Sequence, residues 1–468
     1  MIFAPLGITQ VNLVLLSLIA KIISFQIPHS SFLIPHLTFN MFNLLIILFT
    51  ILTPQEVERR TAIDFNKHLS DLMPYIQKYY PEVDSTQIAQ WEESKALEYR
   101  IINGEKWYFR RAADNLFRID PEARALKTRL EGKERAGRDT VVMNHIRAVL
   151  AEHNDSPKQK LFVRQEWDFD FKLYFTPQSG LRDGELIKVW LPLPKTEQAR
   201  QTDISITYHN RNVELNTGTH STAYMEGNYS THNTTMFNII YEFATYAEYN
   251  PLPHCFKHKK TDPNNAELKQ YLVERAPHCL FTDKIKALAD SIVGKENRPY
   301  YQARKLFAAI RELYPWAGAC EYSIIDNIPE YVIENRHGDC GQVSLLYIAM
   351  CRYLGIPARW QSGFMLHPGY DNLHDWCEIY IEGMGWIPVD PSFGVQSWGK
   401  TDAERYFYFG GMDAYRLIIN TDWGAELEPK KQFERSEPVD FQRGECETEK
   451  ENLYFDKWKY KFTVNLKN

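Results

Sequence analysis

Cys340, His374 and Asp390 are residue types that together can perform nucleophilic catalysis. Cys340 lies in Arg336-His337-Gly338-Asp339-Cys340-Gly341. The two nearby glycines allow a tight turn and close backbone approach of a ligand. Val343, Leu346, Tyr347, Met350 and Leu354 follow at helical spacing, which predicts a buried helix starting at the cysteine. At that position the unpaired N–H groups and the helix dipole favour a thiolate, the reactive form of the side chain. The Cys340 N–H is also left free to hold an oxyanion. A structural cysteine sits more usually inside a helix, as Cys351 does. His374 opens a strand in which Trp376, Glu378 and Tyr380 share its face, while Asp375, Cys377, Ile379 and Ile381 share the other. Imidazole is a suitable base for a thiol at neutral pH, although a lone histidine at a strand end is an ordinary surface residue. Asp390 ends Gly385-Trp386-Ile387-Pro388-Val389-Asp390, and a hairpin through Gly383-Met384-Gly385 brings it beside the histidine. There a carboxylate would fix the imidazole tautomer; alone, the same residue is an Asp-Pro turn.

The order of these blocks carries more than any one of them. Gly338-Asp339-Cys340 opens a helix, Gly355-Ile356-Pro357-Ala358-Arg359 follows it, His374-Asp375-Trp376 opens a strand, and Gly385-Trp386 runs on to Asp390. This arrangement, over about residues 262–395, resembles the transglutaminase-like superfamily. The resemblance implies a papain-like Cys340-His374-Asp390 triad on an α+β core. It also implies acyl transfer through a thioester on Cys340. Water as second nucleophile would make the protein a protease or amidase acting on peptide or carboxamide bonds. An amine would make it a protein-glutamine cross-linking enzyme. A non-catalytic module that binds a polypeptide or glycan is the reading from a different class.

Further residues near these blocks are candidates for lesser roles. Trp316 either lends its indole N–H to an oxyanion hole, as in some transglutaminases, or packs. Trp360, Gln361 and Trp376 are candidate substrate-cleft residues. Asp375 reads as a solvent or salt-bridge residue rather than a second triad acid. His337 and His367, with Cys340 and His374, have spacing too irregular for a metal site. There is no clustered acidic loop of the kind that binds calcium. No metal and no cofactor are therefore expected.

The elements that must position these residues are legible in part. Residues 262–420 read as helices followed by antiparallel strands, an α+β core. NAELKQYLVERA, KIKALADSIV and YYQARKLFAAIREL carry helical stripes, and PARWQSGFML, HDWCEIYIEG and GWIPVD read as strands. Before them, residues 159–258 switch to a period near two and predict a β-sandwich-like domain. Its WLPLP segment resembles the β domain ahead of the core in bacterial, exported members of the superfamily. Residues 54–158 read as a charged, mostly helical region, with helices over 84–100 and 139–153. The tail, 421–468, contains a closing strand or hairpin in ENLYFDKWKYKFTV.

Composition bounds the rest. The chain has 468 residues, 44% of them hydrophobic and 14% aromatic, which suits two or three domains with a large β component. A net charge of −6 gives no basic field for nucleic acid. The expected partner is a polypeptide or peptide-containing substrate. The seven cysteines include no C-x-x-C pair. Residues 1–53 hold two apolar runs, Val11–Ala20 and Phe42–Leu52, and read as an export segment, with periplasmic, envelope or secreted residence expected. A membrane anchor is the alternative, and Met41 offers a second start.

Overall fold

The change of apolar period along the chain becomes a change of layer in the structure, a computed structural model that describes residues 52–132 and 136–467. The apolar runs at 1–51 lie outside the described residues. Among the described residues no helix is long and apolar enough to cross a membrane. Residues from Pro54 onward pack as one unit.

The first part holds α1 (Pro54–Asp64), α2 (Leu69–Ile76), α3 (Ser85–Glu93), α4 (Ala112–Ile119), α5 (Pro121–Glu131) and α6 (Ala136–Asp155). Asp84 caps α3 by accepting from the Gln87 N–H, and Asp120 caps α5 through Ala123. The helix expected over 84–100 stops at Glu93. The chain turns at Lys95, whose φ is positive, and continues as a hairpin of β2 (Tyr99–Ile102) and β3 (Glu105–Phe109). Asn103 and Gly104 both take positive φ, as a two-residue hairpin turn requires. With β1 (Phe65–Lys67) they form a three-stranded sheet, so this region is less helical than its sequence implies.

The β-rich part is a two-sheet sandwich. Its strands are β4 (Leu161–Phe175), β5 (Leu186–Pro192), β6 (Gln201–His209), β7 (Val213–Asn216), β8 (Thr222–Asn228) and β9 (Thr235–Tyr249). Phe169, Phe171 and Leu173 alternate inward on β4 and meet Ile187, Val189 and Leu191 of β5 in one core. Each such side chain contributes about 2 kcal/mol of burial. Residues 159–258 do not complete this sandwich by themselves. β16 (Lys459–Leu466) pairs with β4 along its whole length, and β15 (Glu445–Glu447) pairs with β5. The closing strand read in the tail is thus an edge of the sandwich.

In the core, α7 (Asp283–Val293), α8 (Pro299–Leu313) and α9 (Ile328–Asn335) surround α10 (Cys340–Tyr353). Every residue of α10 from Gly341 to Arg352 is buried. α10 lies on an antiparallel sheet ordered β12-β11-β10-β14: β10 (Ala358–Met365), β11 (Asn372–Ile381), β12 (Gly385–Val389) and β14 (Arg416–Asn420). The short α11 (Asp402–Arg405) and β13 (Gly411–Met412) link β12 to β14. The expected helix in NAELKQYLVERA is not formed beyond a single turn at Lys269–Tyr271. The Asn265 carboxamide accepts from the N–H groups of Glu267 and Leu268 instead, and Arg275 is drawn away to Asp422 at 2.6 Å. The sandwich and the β12-β11-β10-β14 sheet share apolar packing, since Phe364, Leu417 and Ile419 belong to the sandwich core.

Candidate active site

The start of α10 is fixed by its cap. Asp339 accepts from the Gln342 N–H at 3.0 Å, and the Gln342 side chain accepts from the Asp339 N–H at 3.1 Å, a reciprocal capping box. Cys340 is therefore the first helical residue, and it is partly exposed. Gly338 runs beside Trp316, and the Ala317 N–H donates to the Gly338 carbonyl at 3.1 Å. The loop at 314–321 thus forms one wall next to the cysteine.

His374 and Asp390 meet as the hairpin predicts. β11 pairs with β12 from Ile381↔Gly385 to Cys377↔Val389, which brings Asp390 to the His374 end of β11. His374 Nε2 lies 2.7 Å from Asp390 Oδ2, and both side chains are buried. The other oxygen, Oδ1, accepts from the Ser392 Oγ at 2.7 Å and from the N–H groups of Ser392 and Phe393 at 3.1 Å. Arg416, fully buried on β14, places Nη1 3.1 Å from Asp390 Oδ2 and Nη2 3.2 Å from Asp413 Oδ2. Burial opposes the Asp390 charge, but His374 and Arg416 outweigh it and hold the carboxyl below its ordinary range. Burial pulls His374 down, with Asp390 offsetting part of the effect.

Cys340 is brought to the neighbouring position. Its Sγ lies 3.3 Å from Asp375 Oδ2 and also accepts from the Asp375 N–H, which puts the thiol at the peptide joining His374 to Asp375. Among the described residues no hydrogen bond joins Cys340 to His374, and His374 Nδ1 makes none. Burial first, then the Asp375 and Asp339 carboxyls, pushes the Cys340 thiol well above its ordinary range. Both shifts favour thiol and neutral imidazole over the ion pair that a helix N-terminus alone favours. Asp375 is 3% exposed and bonded to the thiol, so its reading as a solvent or salt-bridge residue is corrected.

The remaining candidates are placed as follows. Trp376 stacks on His374 with ring centroids 5.9 Å apart, and its Nε1 donates to Gln361 Oε1 at 2.7 Å. Gln361 and Trp376 share the His374 parity, whereas Trp360, opposite Cys377, has the other. They pack in the sheet beside His374 and do not line an open cleft, because all three are buried. Trp316 is half-buried, and Arg118 of α4 lies over its ring at 4.8 Å. His337 is buried apart from the others with both ring nitrogens unpaired, and His367 bonds Asp413 at 3.2 Å. Among the described residues no group of three or more His, Cys, Asp or Glu side chains is arranged to hold a metal ion.

Three residues here drew no site role from the sequence. Arg416 left a signal, a charge inside the apolar run Tyr415-Arg416-Leu417-Ile418-Ile419. Asp375 and Gln442 left none, since the 2.7 Å bond from Gln442 Nε2 to Asp375 Oδ1 depends on how the tail folds over the sheet. The first part of the chain also bonds to the segments around the site. Asn115 exchanges two 2.8 Å hydrogen bonds with the backbone of Gly318, Asp64 accepts from the Glu321 N–H at 2.6 Å, and Glu98 accepts from the Tyr331 hydroxyl at 2.6 Å.

Residues 286–391 match the family model of the Transglutaminase-like superfamily, a span that contains Cys340, His374 and Asp390. The uncharacterized protein YebA of Bacillus subtilis (strain 168) is 26% identical over 83 residues, covering 15% of this chain and 11% of that protein. An uncharacterized protein of Haemophilus influenzae is 25% identical over 151 residues, covering 27% of this chain and 40% of that protein. The chain thus spans less than half the length of either relative. A crystal structure of a candidate cysteine protease from Cytophaga hutchinsonii aligns at 17% identity with a TM-score of 0.42, covering 65% of this chain and 99% of that one.

Proposed function

We infer that the protein is a cysteine-dependent acyl-transfer enzyme that hydrolyses peptide or carboxamide bonds, with Cys340 as nucleophile, His374 as base and Asp390 as the group that orients the base. The observation that carries this reading is the buried 2.7 Å bond between His374 Nε2 and Asp390 Oδ2. It commits one ring nitrogen to donating and leaves Nδ1 as the acceptor on the ring, with the thiol at the adjoining peptide.

The chemistry follows in order. The thiol leaves Asp375 and passes its proton to His374 Nδ1. The sulfur attacks the substrate carbonyl carbon, forming a C–S bond and an oxyanion. The Cys340 N–H, which has no intrahelical partner, holds that oxyanion. His374 returns its proton to the leaving nitrogen, the C–N bond breaks, and an amine departs from a thioester. Water then attacks while His374 takes its proton; the C–S bond breaks, the acid leaves and the proton returns to sulfur. Asp390 stays ionised and stabilises the imidazolium in both halves.

Alkylation of Cys340 by iodoacetamide across pH tests the assignment, with the exposed Cys255 as an ordinary-thiol control. His374→Ala should slow alkylation of Cys340 and leave that of Cys255 unchanged. Equal Cys340 rates in both proteins would reject the reading. Peptide turnover with and without an added primary amine separates hydrolysis from amine transfer.

A further inference from the structure

Asp375 follows the base in sequence and stands outside the His374–Asp390 pair, yet its carboxyl touches the nucleophile. Oδ2 lies 3.3 Å from Cys340 Sγ. Oδ1 accepts from Gln442 Nε2 at 2.7 Å, and the same nitrogen donates to the His374 carbonyl at 2.8 Å. Gln442 thus fastens the carboxyl to the strand that carries the base. The space is tight: a Cβ added at Gly341 would sit 2.7 Å from Asp375 Oδ2 and would overlap the Tyr322 hydroxyl.

The charged and titratable surroundings come from three directions. α10 contributes Cys340 and Asp339. The turn before α9 contributes Tyr322, whose hydroxyl donates to Asp339 Oδ1 at 2.6 Å. The segment ahead of β15 contributes Asp440, Glu437 and Arg443, and Arg443 is committed to Glu321 at 2.6 Å and Glu437 at 3.1 Å. Among the described residues no cation pairs with Asp375. A buried carboxyl that faces other acids and lacks a cationic partner is held towards its neutral form. Burial first, then Asp440 and Asp339, pushes Asp375 well above the carboxylate range.

We propose that Asp375 is a positioning residue that controls Cys340 by its own protonation, holding the thiol proton on sulfur when ionised and supporting the thiolate when neutral. This rests on Cys340 being the nucleophile. As a carboxylate, Asp375 accepts the S–H and opposes a second negative charge beside it. As a carboxylic acid, its O–H donates to the sulfur. The thiol proton then moves to His374 Nδ1 with no proton exchanged with solvent, leaving acid, thiolate and imidazolium. The enzyme is on at the acidic side of the Asp375 titration and off at the alkaline side.

The test is iodoacetamide alkylation of Cys340 in the full chain, read residue by residue by mass spectrometry. Asp375→Asn keeps the shape and a donor but cannot ionise. On the alkaline side of the Asp375 titration it should alkylate about tenfold faster than the wild type, which is one unit of thiol pKa, and the two rates should converge on the acidic side. Gln442→Met removes a donor from the carboxylate, favours the acid and should shift the profile the same way; thermal melting confirms that each variant is folded. Superimposed profiles for folded Asp375→Asn, or no shift in folded Gln442→Met, would overturn the proposal. His374→Ala keeps the two ideas apart. If it leaves the rate unchanged while Asp375→Asn raises it, the base assignment fails and the control by Asp375 stands.

Discussion

Replacing Asp390 by Asn keeps the size of the side chain and removes the negative charge 2.7 Å from His374 Nε2. Which way the new carboxamide points follows from its surroundings. Oδ1 is held by three donors, the Ser392 N–H, the Ser392 hydroxyl and the Phe393 N–H, so the amide oxygen stays there. The NH2 group must then face His374 Nε2 and Arg416 Nη1, which is 3.1 Å from the oxygen it replaces. A donor facing Nε2 drives the ring proton to Nδ1, and the ring can no longer accept the thiol proton there. The imidazolium also loses its counter-charge, worth about 6 kcal/mol at this distance for an effective dielectric of about 20. Arg416 already neutralises part of that charge, and we take about half, ~3 kcal/mol, as the net loss, or a rate about a hundredfold lower. Stability should fall by about 3 kcal/mol, the low end for a broken buried pair, because Arg416 keeps Asp413. The sign with pH is fixed. The Asp390 carboxyl is depressed in the fold, so its contribution is present above the ordinary carboxylate range and lost as pH falls through the folded value. Alkylation of Cys340 gives the rate and urea denaturation the stability. A folded Asp390→Asn protein whose Cys340 reacts at the wild-type rate would refute the tautomer argument and the triad with it.

Two further outcomes follow from other buried groups. His337 has both ring nitrogens unpaired and its pKa pulled down to about 4 by burial, so the stability of its neutral form is full above about pH 6.5 and lost as pH falls through about 4. His337→Leu should therefore lose less stability between about pH 7 and pH 4 than the wild type, by up to ~3 kcal/mol in paired urea titrations, and an equal loss in both would remove His337 from the acid response. Asn115→Ala deletes both hydrogen bonds to Gly318 and should cost about 2 kcal/mol. It should also speed proteolytic nicking at 314–321, and an unchanged cleavage pattern would mean that the loop does not depend on the first part of the chain.

What the sequence showed and what it hid divide along a physical line. Cys340, His374 and Asp390 were legible because each sits at the end of an element whose period is strong: α10 is apolar almost throughout, and β11 and β12 are joined by a turn of three residues, Glu382 to Met384. Short connections fix register, and register brings Asp390 to His374. The helix expected at 265–276 but not formed, and the hairpin missed at 99–109, are places where local side-chain bonding or an Asn-Gly turn overrides an apolar stripe, and Asn103-Gly104 was a readable sign of the second. Strand parity separated the His374 face from the Asp375 face correctly, yet it cannot say what covers each face. That is why Trp360, Gln361 and Trp376 read as cleft residues and are buried instead. It is also why Asp375 read as a surface acid. Its partners arrive from residues 437–443, which have almost no regular structure and so no period to read. A sequence pattern can therefore single out Cys340 and His374, whereas Glu437, Asp440 and Gln442, which surround Asp375, come from an irregular segment. The test of Gln442→Met bears on this point, because that residue lies in the irregular segment and belongs to none of the blocks that first drew attention to Cys340.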